Sequence, residues 1–176
     1  MNIKIRVLNE NFLYDIKEAA LNTVNKKTIT TESFSPELLI KYLVSEHSPI
    51  RCAILRITME DIPYPSSVHF ARHVHSLHFV STRRPDRTGQ ERDQNKLVTH
   101  IMDCNLQALI DMSRKRLCIG KVEKDTYLIM KEIKDQLILS NDIYLKTIGE
   151  ALVPNGIYRK HCPEFSSCGY CEEGAH

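Results

Sequence analysis

The longest sustained apolar period in the chain lies in LVTHIMDCNLQALIDMSRKRL, residues 97–117. Met102, Leu106, Leu109, Ile110 and Leu117 recur at helical spacing, which predicts one long amphipathic helix over about 97–117. Such a stripe needs a second layer to cover it. Strand material stands at the N-terminus, where Ile3, Ile5 and Val7 alternate with Lys4 and Arg6. Residues 50–59 read as a second strand, and 78–81 as an extended segment. Helical spacing recurs over 11–23, 36–44, 124–139 and 141–152. Ser35-Pro36-Glu37 supplies a cap and a first-turn proline. Ser66 or Ser67 can cap a helix that carries Val68 to His75, with Asp61 to Pro65 as a turn before it. This order of elements predicts an α+β fold, a small sheet packed against several helices including the long central one. One domain over 1–153 is expected, with a cysteine-rich tail over 154–176 packed on it.

The chain has 176 residues, enough for one real core, and 42% of them are apolar against 26% charged. No stretch approaches a membrane span, and the N-terminus has no signal-peptide pattern, so a cytoplasmic protein is expected. Six cysteines without secretory context are expected as reduced thiols. Cys52, Cys104 and Cys118 are expected as small buried apolar residues.

The net charge is only +2, yet residues 71–93 gather Arg72, Arg83, Arg84, Arg87 and Arg92 around three histidines. Local rather than global basicity suits a small anionic ligand better than a long polyanion. Arginine's planar fork matches phosphate, and Ser81, Thr82 and Thr88 add hydroxyls. The plain alternative is a solvated basic loop. On a helix over 97–117, Asn105 and Arg116 lie within about 20° of each other and about 16 Å apart. An amide and a guanidinium so placed can line the floor of a long cleft.

These pieces resemble the flavin-dependent thymidylate synthases. That family's signature is R-H-R, seven or eight residues, then S-x-R. Here Arg72-His73-Val74 is followed by Thr82-Arg83-Arg84, or one residue earlier by Ser81-Thr82-Arg83. The family's N-A-R, eight residues, then R, on one helix, reads here as Asn105-Leu106-Gln107 and Arg116. The earlier H-x-S/T-P-x-E-H block keeps its Ser48-Pro49 core within Glu46-His47-Ser48-Pro49-Ile50-Arg51. The departures are Val74 and Gln107 for arginines, Phe79-Val80 for an Asn-Glu pair, and Arg51-Cys52 for Glu-His.

The resemblance implies that residues 1–153 are the catalytic domain of an enzyme making dTMP from dUMP. FAD is the implied cofactor, with methylenetetrahydrofolate and NADPH as co-substrates. Arg116 is the implied catalytic residue, polarising the uracil ring. Arg72, Ser81, Thr82, Arg83 and Arg84 would bind dUMP with it. Ser48, His73, Asn105 and Gln107 would contact FAD. Arg87 and Arg92 are candidates to replace a later phosphate-binding arginine. A homotetramer with shared active sites is implied, with no membrane or nucleic-acid partner.

The lost arginines leave a dUMP hydroxymethylase open as an alternative. A family member without activity, acting as a partner subunit, is another. A nucleic-acid-binding module is a third, and it predicts steep salt dependence and no flavin. In the tail, Cys162, Cys168, Cys171 and His161 are a low-ranking zinc set, because a second C-x-x-C is missing. Its simpler reading is a segment docked by Tyr158, Phe165 and Tyr170. His69, His75 and His78 are expected to pack or hydrogen-bond.

Overall fold

A computed structural model describes residues 1–27, 34–89, 91, 93, 95–167 and 169. The elements run β1 (Asn2–Val7), α1 (Phe12–Thr23), α2 (Pro36–Val44), a 3-10 turn (Ser48–Cys52), β2 (Ile54–Pro63), α3 (Tyr64–Ala71) and β3 (Ser76–Val80). They continue with α4 (Pro85–Thr88), β4 (Leu97–Asn105), α5 (Leu106–Arg116), α6 (Lys124–Ile138), α7 (Ile143–Ala151) and α8 (Asn155–Arg159). The fold is α+β: a four-stranded antiparallel sheet in the order β1-β2-β4-β3, with helices packed on one face.

Alternation sets that face. Ile3 of β1, Leu55, Ile57 and Met59 of β2, and Val98, Met102 and Cys104 of β4 point into the core. They meet Ile16 of α1, Leu39 and Leu43 of α2, Leu109 and Met112 of α5, and Ile129 and Ile133 of α6. Arg56 and Asp103, in register on the opposite face, form a bidentate pair at 2.6 and 2.5 Å. On that face of β3, Leu77 and Phe79 stand 63% and 53% exposed.

The long helix expected over 97–117 is two elements. Residues 97–105 form β4, and only 106–116 are helical. Val98, His100, Met102 and Cys104 are buried at period two, and the strand is held on both sides, by β2 and by β3. Those ladders override a helical reading that rested on Met102 alone in the first half. Asn105 makes the switch without a loop. Its backbone is extended (φ −80°, ψ 167°), and its Oδ1 accepts the Ala108 N–H at 2.9 Å.

Other expectations hold with shifted bounds. Ser35 caps α2, its Oγ accepting the Leu38 N–H at 3.2 Å. The second strand starts at Ile54, because Pro49 sits at the start of the 3-10 turn over 48–52. The expected turn at 61–65 is instead a bulge in β2, with Asp61 at φ 56°, running directly into α3. α3 opens at Tyr64 after Pro63, so Ser66 and Ser67 are buried inside the helix and do not cap it. It ends at Ala71 rather than His75. Cys52 is exposed, not buried, whereas Cys104 is buried as expected. In the tail, residues 155–159 form α8 on α5, and Tyr158 does dock. Phe165 does not, being fully exposed. Among the described residues, no helix is long and apolar enough to cross a membrane.

Candidate functional site

The candidate residues divide among three places, linked by α3 and α5. The first is the N-terminal end of α5. A cavity of about 370 Å³ there is lined by Glu46, Arg51, His75, Asn105, Gln107, Ala108 and Asp111. Asn105 and Gln107 of the expected flavin set are present. Ser48 is exposed on the 3-10 turn, which contributes Arg51 to the lining instead. Gln107 Nε2 donates to Glu46 Oε2 at 2.6 Å and to Asp111 Oδ1 at 3.1 Å, while its Oε1 is buried without a partner.

Glu46 is the hub of this wall. Its Oε1 accepts from Arg114 Nη2 at 2.8 Å and from the Tyr158 hydroxyl at 3.0 Å. The Arg114 guanidinium carbon lies 3.7 Å from the Tyr158 ring centroid. Arg114, then burial working the other way, then Gln107 and Tyr158 set the Glu46 carboxyl, with a net shift below the usual range. Glu46 also has φ 53°, a left-handed backbone for a non-glycine residue, held by these contacts.

The second place is the C-terminal end of α5, where it meets the end of α3. Arg116 Nη2 donates to the His69 carbonyl at 2.8 Å, and its Nε donates to His73 Nε2 at 3.2 Å. Both partners are uncharged: burial, then Arg116, then His78 lower the His73 pKa to about 4. Burial, and next Arg72, push the Arg116 pKa below its ordinary value. Arg116 is thus a half-buried cation whose two hydrogen-bond partners are neutral, with a second positive charge, Arg72, close enough to be felt; such a site favours an anion or a developing negative charge.

The third place is the end of β3. Tyr64, Val80, Ser81, Arg83 and Arg84 line a second cavity of about 370 Å³. The Arg83 guanidinium carbon lies 3.3 Å from the Tyr64 ring centroid, and its Nη1 donates to the Asp93 carbonyl at 2.6 Å. Arg84 forks onto Asp86 at 3.0 and 2.7 Å. Ser81 continues the ladder: its N–H donates to the Thr99 carbonyl at 2.8 Å and its Oγ accepts the Thr99 N–H at 3.1 Å. Thr82 Oγ1 accepts the Arg84 N–H at 3.2 Å. Both hydroxyl oxygens accept a backbone N–H and so keep their O–H as donor.

Tyr64 opens α3 and His69 lies five residues on, so the second and third places are about 7.5 Å apart along that helix. Asn105 and Arg116 stand at opposite ends of α5, keeping the spacing of about 16 Å expected from sequence. The 73–75 turn bridges the first two places, His73 touching Arg116 and His75 lining the first cavity. One chain does not gather all the candidates into a single pocket.

Val74, in the third position of the Arg-His-x run, is 81% exposed. Arg87 is exposed in α4, and Arg92 lies outside the described residues. Sequence reasoning missed Tyr64 beneath Arg83, and the roles of Glu46, Arg51, His75 and Asp111 as cavity wall. Tyr64 stands in a Pro-Tyr-Pro run that reads only as a turn. In the tail, His161 Nδ1 lies 2.9 Å from the Arg159 carbonyl and Cys162 is half-buried. No metal-holding group occurs among the described residues, and Cys168 and Cys171 lie outside them, as does Tyr170.

No protein-family model matches the sequence, and no curated protein matches it. Solved structures do match in shape. Thymidylate synthase X from Helicobacter pylori, crystallised with FAD and dUMP, superposes with a TM-score of 0.68 at 9% identity, over 86% of this chain and 99% of that one. A second structure of that flavin-dependent enzyme with FAD and dUMP gives 0.67 at 10% identity, over 85% and 99%. A UMP/dUMP methylase, PolB from Streptomyces cacaoi, bound with 5-bromo-dUMP, gives 0.61 at 11% identity, over 87% and 98%. At these identities the likeness fixes architecture: the chain has the fold of thymidylate synthase X along nearly the whole of that enzyme's length.

Proposed function

We propose that the chain is an enzyme that binds dUMP and FAD and transfers a one-carbon unit from methylenetetrahydrofolate to C5 of dUMP, giving dTMP. The observation that carries this reading is the setting of Arg116. Its half-buried guanidinium is held by a carbonyl and a neutral imidazole, on a fold that in the matched structures holds dUMP. Arg116 polarises the uracil ring, so that C5 gains nucleophilic character while negative charge grows on a ring oxygen. Ser81 or Thr82, with Arg83 and Arg84, binds the nucleotide phosphate.

The residues at the first cavity fit part of a flavin. Its volume is at the small end for ligand sites, room for a ring system rather than a whole dinucleotide. The unpartnered Gln107 Oε1 matches a ring N–H, and the acidic wall of Glu46 and Asp111 disfavours a pyrophosphate. Asn105, Gln107 and His75 would hold that ring, and Ser48 and His73 would approach its edge. A flavin bound there and reduced by NADPH would supply the hydride that completes the methyl group. The separation of phosphate, ring and flavin residues over three places supports a homotetramer whose active sites draw on several copies.

A hydroxymethylase is the second reading. It is favoured by Gln107, which stands where an arginine is expected and whose amide is committed to Glu46 and Asp111. The first experiment is an absorption spectrum of the protein with FAD, before and after adding dUMP. A protein-bound flavin band that shifts with the nucleotide supports both readings, and the product mass chooses between methyl and hydroxymethyl. Arg116→Ala should abolish turnover while sparing the oligomer and most flavin binding. Absence of any flavin or dUMP binding rejects both readings.

A further inference from the structure

Behind the Arg116 cluster runs a line of three side chains that the proposed chemistry does not use. Ser67 Oγ lies 3.1 Å from His100 Nδ1, His100 Nε2 lies 3.0 Å from His78 Nδ1, and His78 Nε2 lies 3.1 Å from the His73 carbonyl. His100 is 0% exposed, in the middle of β4, and Phe70 packs edge-on against it. A fully buried histidine on a core strand is costly unless both ring nitrogens are paired, and here both are.

The partners fix the tautomers. A carbonyl only accepts, so His78 Nε2 carries the hydrogen. With neutral rings, His78 Nδ1 then accepts from His100 Nε2–H, and His100 Nδ1 accepts the Ser67 hydroxyl. Burial supports the neutral state of His100, lowering its pKa to about 4. At the far end, Arg116 Nε–H donates to His73 Nε2, so His73 is the Nδ1–H tautomer.

The His73 backbone is held at both its N–H and its carbonyl. Its N–H donates to the Phe70 carbonyl at 3.0 Å, and its own carbonyl accepts both the Ser76 N–H at 3.2 Å and His78 Nε2–H. The His78 bond is the side-chain brace on this turn, and the ring leaves the same residue toward Arg116.

We propose that His78, backed by His100 and Ser67, is a positioning residue: it braces the His73 backbone so that the His73 ring meets Arg116 in one tautomer and one orientation. This rests on the reading of Arg116 as the ring-polarising cation. His78 touches no substrate in this scheme and acts only through His73.

The test uses the full-length protein and two substitutions at one position. His78→Leu keeps bulk but removes donor and acceptor, and His78→Gln retains both in one amide. Nitrogen NMR of the imidazoles reads the His73 tautomer directly, without turnover. The wild type should show the Nδ1–H pattern with a bare Nε2. His78→Leu should lose that single pattern, and its kcat should fall on the order of 10²-fold with dUMP affinity little changed. His78→Gln should restore both. Ser67→Ala, at the other end of the line, should produce a smaller change of the same sign.

An unchanged His73 spectrum in a folded His78→Leu protein overturns the proposal. So does a His78→Gln protein as impaired as His78→Leu, which would assign the effect to packing. If wild-type protein neither binds nor converts dUMP, the functional reading fails. The tautomer measurement still decides the brace in that case.

Discussion

Glu46 and Arg114 lie 68 positions apart and meet at 2.8 Å, joining the segment after α2 to the last turn of α5. The pair is mostly shielded, with side-chain exposures of 26% and 14%, and Arg114 Nε is buried without a partner. Glu46→Gln removes the nearer of two counter-charges and leaves the guanidinium with Asp111 Oδ1 at 3.9 Å. The expected loss is about 3 kcal/mol of unfolding free energy, read by urea denaturation. Tyr158→Phe removes one hydrogen bond to the same carboxylate and should cost about 1 kcal/mol.

Asn105 has two jobs that substitutions can separate. Asn105→Ala removes the cap of α5 and should cost about 1 kcal/mol. Asn105→Asp keeps a capping oxygen at the helix N-terminus and should fold with near wild-type stability. It also adds a third carboxylate to a cavity that already holds Glu46 and Asp111. Flavin retention should therefore fall in Asn105→Asp even though its denaturation midpoint does not.

Stability should decline with acid in two windows. His100 titrates near 4 when folded against an ordinary 6.5, so the unfolded chain binds more protons between those values. Folding free energy is then lost as pH falls from about 6.5 to 4, by about 3 kcal/mol for His100 alone, and no further below. His73 adds a loss of the same sign over the same window. Glu46, held below its ordinary 4.5 chiefly by Arg114, contributes stability that is lost only at more acid pH, through its lowered pKa. Denaturation midpoints measured across pH in wild type and His100→Asn separate the windows, the upper one shrinking in the variant.

Among the basic residues of 72–92, Arg83 and Arg87 make opposite predictions. Arg83 lines the second cavity and stacks on Tyr64, whereas Arg87 is exposed in α4. Arg83→Ala should weaken dUMP binding at least tenfold by calorimetry, the loss of one charge-assisted phosphate contact. Arg87→Ala should leave binding within twofold, since an exposed cation is screened by salt.

The α+β class, the amphipathic helices and the Ser35 cap were legible because each rests on local chemistry. β4 was not. Its alternation runs through His100 and Cys104, and a histidine at a core position reads as surface when its partners, Ser67 and His78, are 33 and 22 positions away. Asn105 was legible as a candidate site residue but not as a boundary, although asparagine before a leucine-rich run is a strong cap signal. The arginines of the basic loop were visible as a group, yet their division between the ends of α3 depends on where β3 begins and ends. That boundary is set by pairing with β4, which no local pattern shows. The resemblance singles out Arg116 and His73 as candidates by spacing; their contact is a property of the turn at the end of α3.

The loop-free passage from β4 into α5 bears on what insertions and deletions this chain can absorb. Most joints between elements have a few spare residues in which an added one can be hidden. At Asn105 there are none, because the last residue of the strand is already the cap of the helix. One residue added after it would turn the helix by about 100° and carry Arg116 off its line with the cavity. One removed would pull the cap into the ladder and invert the facing of every strand residue before it. Length variation among descendants of this chain should therefore collect around residues 82–95 and in the tail, and the sequence across 97–116 should drift by substitution at constant length.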